Sequence, residues 1–354
     1  MDLPLKASFV VATGAMDVAK NIFVRVTLHG GAVGYGEVAP FPDISGEDQA
    51  TSLSVFPVAA QLFLGQPATQ FRRLSKQLLK VTELFPALRC GLETALLDAL
   101  CHEMGIPLWG LWGGADIRSR DTDVTLPIGE TDEVVATARD WYQQGFQILK
   151  MKVGHDVDED IRRVAAVATA CKNASFVIDA NQGYTFDQAR AFVQAIEQLH
   201  IPVQVFEQPM HRDHIDEMVM LKHQSAIPLA ADESLRSLDD ARRLVEHQAV
   251  DMFNVKITKC GVIESVAIAA FAQASGVRLM IGGMVESRVA MGCSWSLVLG
   301  LGGFEFLDLD MPLLLAVDPL VGGYQYEGST LHPWHESGLG LSLNAARDSI
   351  VVVE

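Results

Sequence analysis

Hydrophobic and polar positions give the 354-residue chain two textures. Within the first hundred residues, "NIFVRVTLHGGAVGYGEVAP" alternates apolar and polar positions on both sides of a His-Gly-Gly turn, which predicts a β-hairpin. "ALRCGLETALLDALCHEMG" repeats its apolar positions at helical spacing and stops at a glycine, which predicts a helix. "PLWGLWGG" and the polar stretch to Asp121 read as a linker.

From about residue 121 the pattern becomes repetitive. Eight short β-rich runs alternate with helical segments: "TDVTLPIG", "QILKMKV", "SFVIDAN", "VQVFEQP", "IPLAADES", "MFNVKIT", "VRLMIGG" and "FEFLDLD". Polar residues at their ends are evenly spaced, with 27 residues from Lys152 to Asp179, then 28 to Glu207, 25 to Asp232 and 24 to Lys256. A strand, a helix and two loops of a parallel eight-stranded barrel take about 25 to 30 residues. An open doubly wound sheet matches the strand count but does not explain polar residues at so many strand ends. The expectation is therefore an α/β barrel. Past Pro319 the chain turns irregular, and its end, "GLGLSLNAARDSIVVVE", is expected to leave the barrel and rejoin the amino-terminal domain.

Composition narrows the function. A net charge of −17 argues against nucleic acid as a partner. No apolar run approaches the roughly 18 residues of a membrane span, and the first residues lack a leader pattern, so no membrane partner and a cytoplasmic location are expected. Cys90, Cys101, Cys171, Cys260 and Cys293 are scattered, without a C-x-x-C pair, and read as reduced and buried. Whether the chain forms a homo-oligomer stays open.

The chemistry sits at the strand ends, where parallel barrels carry their sites. Lys150 and Lys152 are two apart and so share one face of a strand, with Met151 on the other. Asp179, Glu207 and Asp232 end three consecutive strands. Unpaired, they would repel one another, and a hard divalent cation resolves that conflict. Mg²⁺ suits an all-oxygen set, Mn²⁺ is an alternative, and zinc is disfavoured without His or Cys. Lys152 and Lys256, on strands two and six, face each other across the mouth. Near a metal and a third ammonium, Lys150, their pKa should fall, as a general base requires. Two bases on either side of one centre suggest racemisation or epimerisation. Thr125, at the end of strand one, and Met284, in "GGMVES", are candidate pocket residues by position. Taken singly, each carboxylate could cap a helix and each lysine could be solvated. The joint pattern in five successive units favours a metal-and-lysine centre.

These residues resemble the enolase superfamily, in particular its muconate-lactonising-enzyme subgroup. The matching motifs are "KMK" at 150, "DAN" at 179, "FEQP" at 206, "ADES" at 231 and "NVKITKCGV" at 254. The resemblance implies a modified TIM barrel, (β/α)₇β, over residues 120–324. It also implies an α+β capping domain over 1–115, completed by 325–354. It implies Mg²⁺ on Asp179, Glu207 and Asp232, an acid/base pair of Lys152 and Lys256, and supporting roles for Asn181, Gln208 and Glu233. Asp308 and Asp310, in "FLDLDMP", resemble the D-x-D signature of dipeptide epimerases, which binds the free α-ammonium of a dipeptide; a pair of turn or capping aspartates is the plain alternative. The implied reaction inverts the Cα of the C-terminal residue through a metal-stabilised enediolate, with Lys150 at the substrate carboxylate. Relatives acting on Ala-Glu carry an arginine in the capping loop, where this chain aligns Met16, with Thr13 and Asp17 nearby. An apolar dipeptide is expected, with a cationic one as the alternative through Asp17 or Asp43. An N-acylamino acid racemase, an o-succinylbenzoate synthase and a silent dipeptide-binding protein compete with this reading. Relatives also begin with a strand ahead of "LPLKASFVVATG", so either an edge strand is missing here or the start lies upstream.

Overall fold

A computed structural model describes residues 1–343, and Asp43 by its backbone only. The expectation for residues 344–354 lies outside the described residues. All eight expected barrel strands form: Val124–Leu126, Ile148–Lys152, Ser175–Asp179, Val203–Glu207, Leu229–Ala231, Met252–Val255, Arg278–Ile281 and Phe304–Leu307. Each pairs in parallel with the next in sequence order. The Asp123 N–H donates to the Leu307 carbonyl at 2.9 Å, so the sheet curls until its last strand meets the segment leading into its first. Seven longer helices lie between the strands, from Thr131–Gln143 to Arg288–Leu301. The result is the (β/α)₇β pattern.

Two apolar layers hold the barrel. Inside, Val177, Val205, Ala230, Met252 and Met280 form a buried plug. Outside, Met151, Phe176, Ile178, Phe206 and their neighbours pack against the helices. Because strand side chains alternate, the inward residues two positions past the plug are Asp179, Glu207, Asp232 and Asn254. The plug is thus a floor, and the polar residues form the layer above it.

The amino-terminal part contains two antiparallel hairpins, Asp2–Val11 with Gly14–Lys20 and Ile22–Thr27 with Val33–Val38. The predicted helix spans Pro86–Met104, opens with proline at its first turn and closes on Gly105 in the left-handed conformation, φ 69°. Nearly all of it is buried, since it lies between the second hairpin and the barrel. Gly36 permits that approach: a Cβ there would stand 1.9 Å from the Gly91 carbonyl oxygen.

The expected linker proves to be structured. Leu108–Leu111 forms a helical turn on the Arg288–Leu301 helix, and Arg120–Asp121 joins a small sheet with Thr330–His332. Trp109 Nε1 donates to the Trp334 carbonyl at 2.8 Å, a partner 225 residues away in sequence. The described part of the tail reaches back to the buried helix, where the Leu339 N–H donates to Asp98 Oδ1 at 2.6 Å. Among the described residues no helix is long and apolar enough to cross a membrane.

Candidate active site

Strand two delivers both lysines inward and buried. Lys150 Nζ stands 2.7 Å from Asp308, 2.7 Å from Glu207 and 3.2 Å from Asp179. Lys152 Nζ donates to Asp179 Oδ2 at 2.6 Å. On the opposite side Lys256, just past strand six, donates to Asp232 Oδ2 at 2.8 Å. Asp179, Glu207 and Asp232 each place one oxygen within 4.8 Å of the others, all buried. Lys152 and Lys256 therefore flank one carboxylate trio.

None of the trio caps a helix. The helix after Asp179 is capped by Thr185, with a reciprocal bond from Gln188, and the helix after Asp232 is capped by Ser237. The strand-end carboxylates are thus left free to converge. Tight loops follow them: Asn181, Gln182 and Gln208 adopt left-handed backbone, φ 41°, 68° and 35°, a strained state that clusters at functional sites. Asn181 donates its N–H to Asp179 Oδ1 at 2.9 Å and its amide to Glu233 at 3.2 Å. Gln208 Oε1 accepts from the backbone N–H groups of Asp232 and Ser234, both at 3.0 Å, fastening the loop after strand four to the one after strand five.

Electrostatics show what the trio lacks. Burial opposes ionisation of Asp179, but Lys152, Lys150 and Lys256 hold it at about 2. Asp232 is also buried, yet Lys256 and Lys259 keep it well below the usual carboxylate range. Glu207 is pushed up to about 7 by burial and by Asp179, despite Lys150 alongside. Glu233 rises to about 8 through burial and the charges of Asp232 and Asp179. A buried oxygen set in which one member resists ionisation fits a hard divalent cation such as Mg²⁺. With the protein's own groups alone, burial opposes the charge of Lys150 and Lys256, but the surrounding carboxylates raise both. The expected lowering of Lys152 and Lys256 invokes a metal, whose positive charge would fall on those same carboxylates.

Two further residues enter that the sequence reading did not single out. Lys259, one helical turn past Lys256, donates to Asp232 Oδ1 and to the Asp232 carbonyl, both at 2.5 Å. Asp123, on the inward face two residues before Thr125, groups with Asp308 and Asp310, one oxygen of each within 4.8 Å. Period-two spacing before Thr125 and the Lys-x-x-Lys interval were the signals available for them. Asp308 and Asp310 lie just past strand eight. Asp310 accepts the Thr125 N–H at 2.5 Å and makes no side-chain cap to the short helix it precedes. Burial and Asp308 raise Asp310 to about 7.

One cavity joins these groups, lined by Lys152, Lys256, Asp232, Asn181, Asp308 and Thr125, with an apolar wall of Phe9, Val11, Phe41, Ile44, Met284 and Val285. Gly282 keeps the mouth clear, since a Cβ there would be 2.7 Å from Asn254 Oδ1. Met16 is not among the lining residues. It pairs with Phe9 across the first hairpin and so shares its face, but Phe9 and Thr13 line the cavity and Met16 does not.

A parallel barrel with two buried lysines flanking a carboxylate trio at its strand ends defines an enolase-type centre. Residues 2–113 match the N-terminal domain of the mandelate racemase/muconate lactonizing enzyme family, and 133–347 match the enolase C-terminal domain-like family. The chain is 39% identical to an aromatic dipeptide epimerase from Herpetosiphon aurantiacus, over 97% of this chain and 96% of that one. It is 37% identical to an L-Ala-D/L-amino acid epimerase from Populus trichocarpa, over 93% and 79%. A dipeptide epimerase from Enterococcus faecalis, solved with Mg and L-Leu-L-Tyr, superposes with a TM-score of 0.93 at 29% identity, covering 97% of each chain. The chain belongs to the mandelate racemase/muconate lactonizing enzyme family of the enolase superfamily.

Proposed function

We propose that the protein is a Mg²⁺-dependent dipeptide epimerase that inverts the Cα of the C-terminal residue and prefers apolar side chains. One observation carries the reading: a single cavity has a lysine on each side of a buried carboxylate trio and a separate aspartate, Asp308, beside Thr125. In this reading Asp179, Glu207 and Asp232 hold Mg²⁺, which supplies positive charge against the second negative charge that grows on the substrate carboxylate. Lys150 adds an ammonium to the same carboxylate. Lys152 or Lys256, as the free amine, takes the proton from Cα, and the other, as ammonium, returns one to the opposite face. One proton leaves and one arrives, so the configuration changes and the composition does not. Asp308, with Asp310 behind it, receives the free α-ammonium, while Asn181, Gln208 and Glu233 keep the trio oriented.

The side-chain preference follows from the wall. Phe9, Val11, Phe41, Ile44, Met284 and Val285 offer carbon, and the only cations among the described lining residues are Lys152 and Lys256, both engaged at the centre. A second carboxylate on the substrate would find no partner there, and desolvating it would oppose binding. The five cysteines, all buried and unpaired, accord with a cytoplasmic location.

The test is a panel of L-Ala-L-Xaa dipeptides and their N-acetyl forms with Mg²⁺, read by separation of diastereomers. Apolar Xaa should give the L,D product, acidic Xaa little, and N-acetylation should remove activity. Turnover of the N-acetyl forms alone would replace this reading with N-acylamino acid racemisation.

A further inference from the structure

Among the described residues, Asp123 is a buried carboxyl that meets no hydrogen-bond donor. It is 1% exposed, and neither of its oxygens has a partner. Its neighbours are themselves acidic: one oxygen each of Asp123, Asp308 and Asp310 lie within 4.8 Å of one another. The donors nearby are already engaged. The Thr125 N–H goes to Asp310 Oδ2 at 2.5 Å, and Lys150 is divided among Asp308, Glu207 and Asp179. Asp310 Oδ1 is a further buried oxygen without a partner. Leaving such oxygens unmatched costs about 1–3 kcal/mol each, and more when they are charged.

One proton shared between Asp123 and Asp310 matches two of these three oxygens. A neutral acid has an O–H to give, and the unmatched oxygen of Asp310 is in the same cluster. We infer that Asp123 is a positioning residue for ammonium recognition: as a neutral acid it donates its O–H to Asp310, leaving Asp308 as the carboxylate that meets the substrate's amino group. This rests on the dipeptide reading above. The location agrees with an indirect role, because Asp123 lies one inward position below Thr125 and is absent from the cavity lining, whereas Asp308 and Thr125 line it. The electrostatics agree too: burial, then Asp308 and Asp310, push the Asp123 carboxyl well up, with Lys150 opposing. A second buried cation in place of the proton would make the same cluster a metal site, and the test separates the two.

The experiment compares Asp123→Asn and Asp123→Leu in the full chain. Asn keeps a neutral side chain with a donor, so KM for an apolar dipeptide should stay within about threefold. Leu removes the donor at similar volume, and KM should rise at least tenfold with kcat changed less than threefold. Difference infrared spectra supply a readout independent of turnover: the wild type should show a protonated carboxyl band that Asp123→Asn lacks. If the parent turns over no dipeptide while the band is present and lost in Asp123→Asn, the dipeptide reading fails and the proton assignment stands. Absence of that band overturns the inference, as does an Asn variant as impaired as Leu, or a Leu variant with unchanged KM. A carboxylate at Asp123 together with a second Mg²⁺ equivalent lost in the Asn variant would identify a cation site instead.

Discussion

Glu37 gives the most quantitative test of how the amino-terminal hairpin supports the site. It is fully buried on the Val33–Val38 strand and accepts bonds from across the molecule. Asn21 donates to it at 2.8 Å, the Ser287 N–H at 2.9 and 3.1 Å, the Ser287 hydroxyl at 2.6 Å and the Ala290 N–H at 3.2 Å. Ser287 and Ala290 open the Arg288–Leu301 helix, so the carboxylate also meets the positive end of a helix dipole. Asn21 in turn donates to the Val285 carbonyl at 2.9 Å, and Val285 lines the cavity. Glu37→Leu keeps comparable volume and strands the Ser287 N–H, the Ala290 N–H and one Asn21 donor. At about 1–3 kcal/mol per unmatched buried donor the gross loss is roughly 3–9 kcal/mol. Burial raises the Glu37 pKa, so keeping the charge costs something that leucine avoids. The net expectation is about 3 kcal/mol, near the low end. Urea unfolding at neutral pH would measure it, with dipeptide KM followed in parallel because Val285 loses its anchor. A change below about 1 kcal/mol together with an unaltered KM would refute the reasoning.

Other outcomes follow from the same geometry. Lys152→Ala and Lys256→Ala should each lower epimerisation by at least about 100-fold while Mg²⁺ still binds by calorimetry; turnover retained in either would defeat the two-base scheme. Thr13→Arg places a cation on the cavity wall and should raise kcat/KM for L-Ala-L-Glu relative to apolar dipeptides, whereas an unchanged ratio would show that this position does not read the side chain. Glu286, which accepts from Thr258, is pushed up to about 7 by burial and by Glu37. A raised folded pKa favours the protonated form, so its contribution is complete below about 4.5 and is lost as pH rises toward 7. That amounts to about 3 kcal/mol relative to Glu286→Gln. Parallel stability curves for the two proteins between pH 5 and 8 would contradict the assignment.

The barrel was legible because its polar residues recur at intervals that match one βα unit, and because inward positions continue two by two past an apolar floor. Asp179, Glu207, Asp232, Lys152 and Lys256 could be grouped from those intervals alone. Asp123 and Lys259 escaped because a lone charge ahead of a strand or in a short helix carries no period of its own. Which carboxylates close in on each lysine from other strands, as Asp308 does on Lys150, is not stated by local spacing. Met16 aligned with the expected loop position and shares a face with its hairpin partner Phe9, but Phe9 and Thr13 line the cavity, and which of them reaches it depends on how the hairpin sits over the barrel, which local sequence does not state. The stretch around Trp109 looked like a linker because its partners lie in the tail.

The most direct measurement is proton exchange in D₂O. L-Ala-L-Leu is incubated with the protein and Mg²⁺, then followed by mass and by NMR of each Cα. The account predicts one deuterium at the leucine Cα, none at alanine, and an L,D diastereomer growing with it. No exchange in this dipeptide, with exchange in N-acetyl-L-leucine, would contradict it.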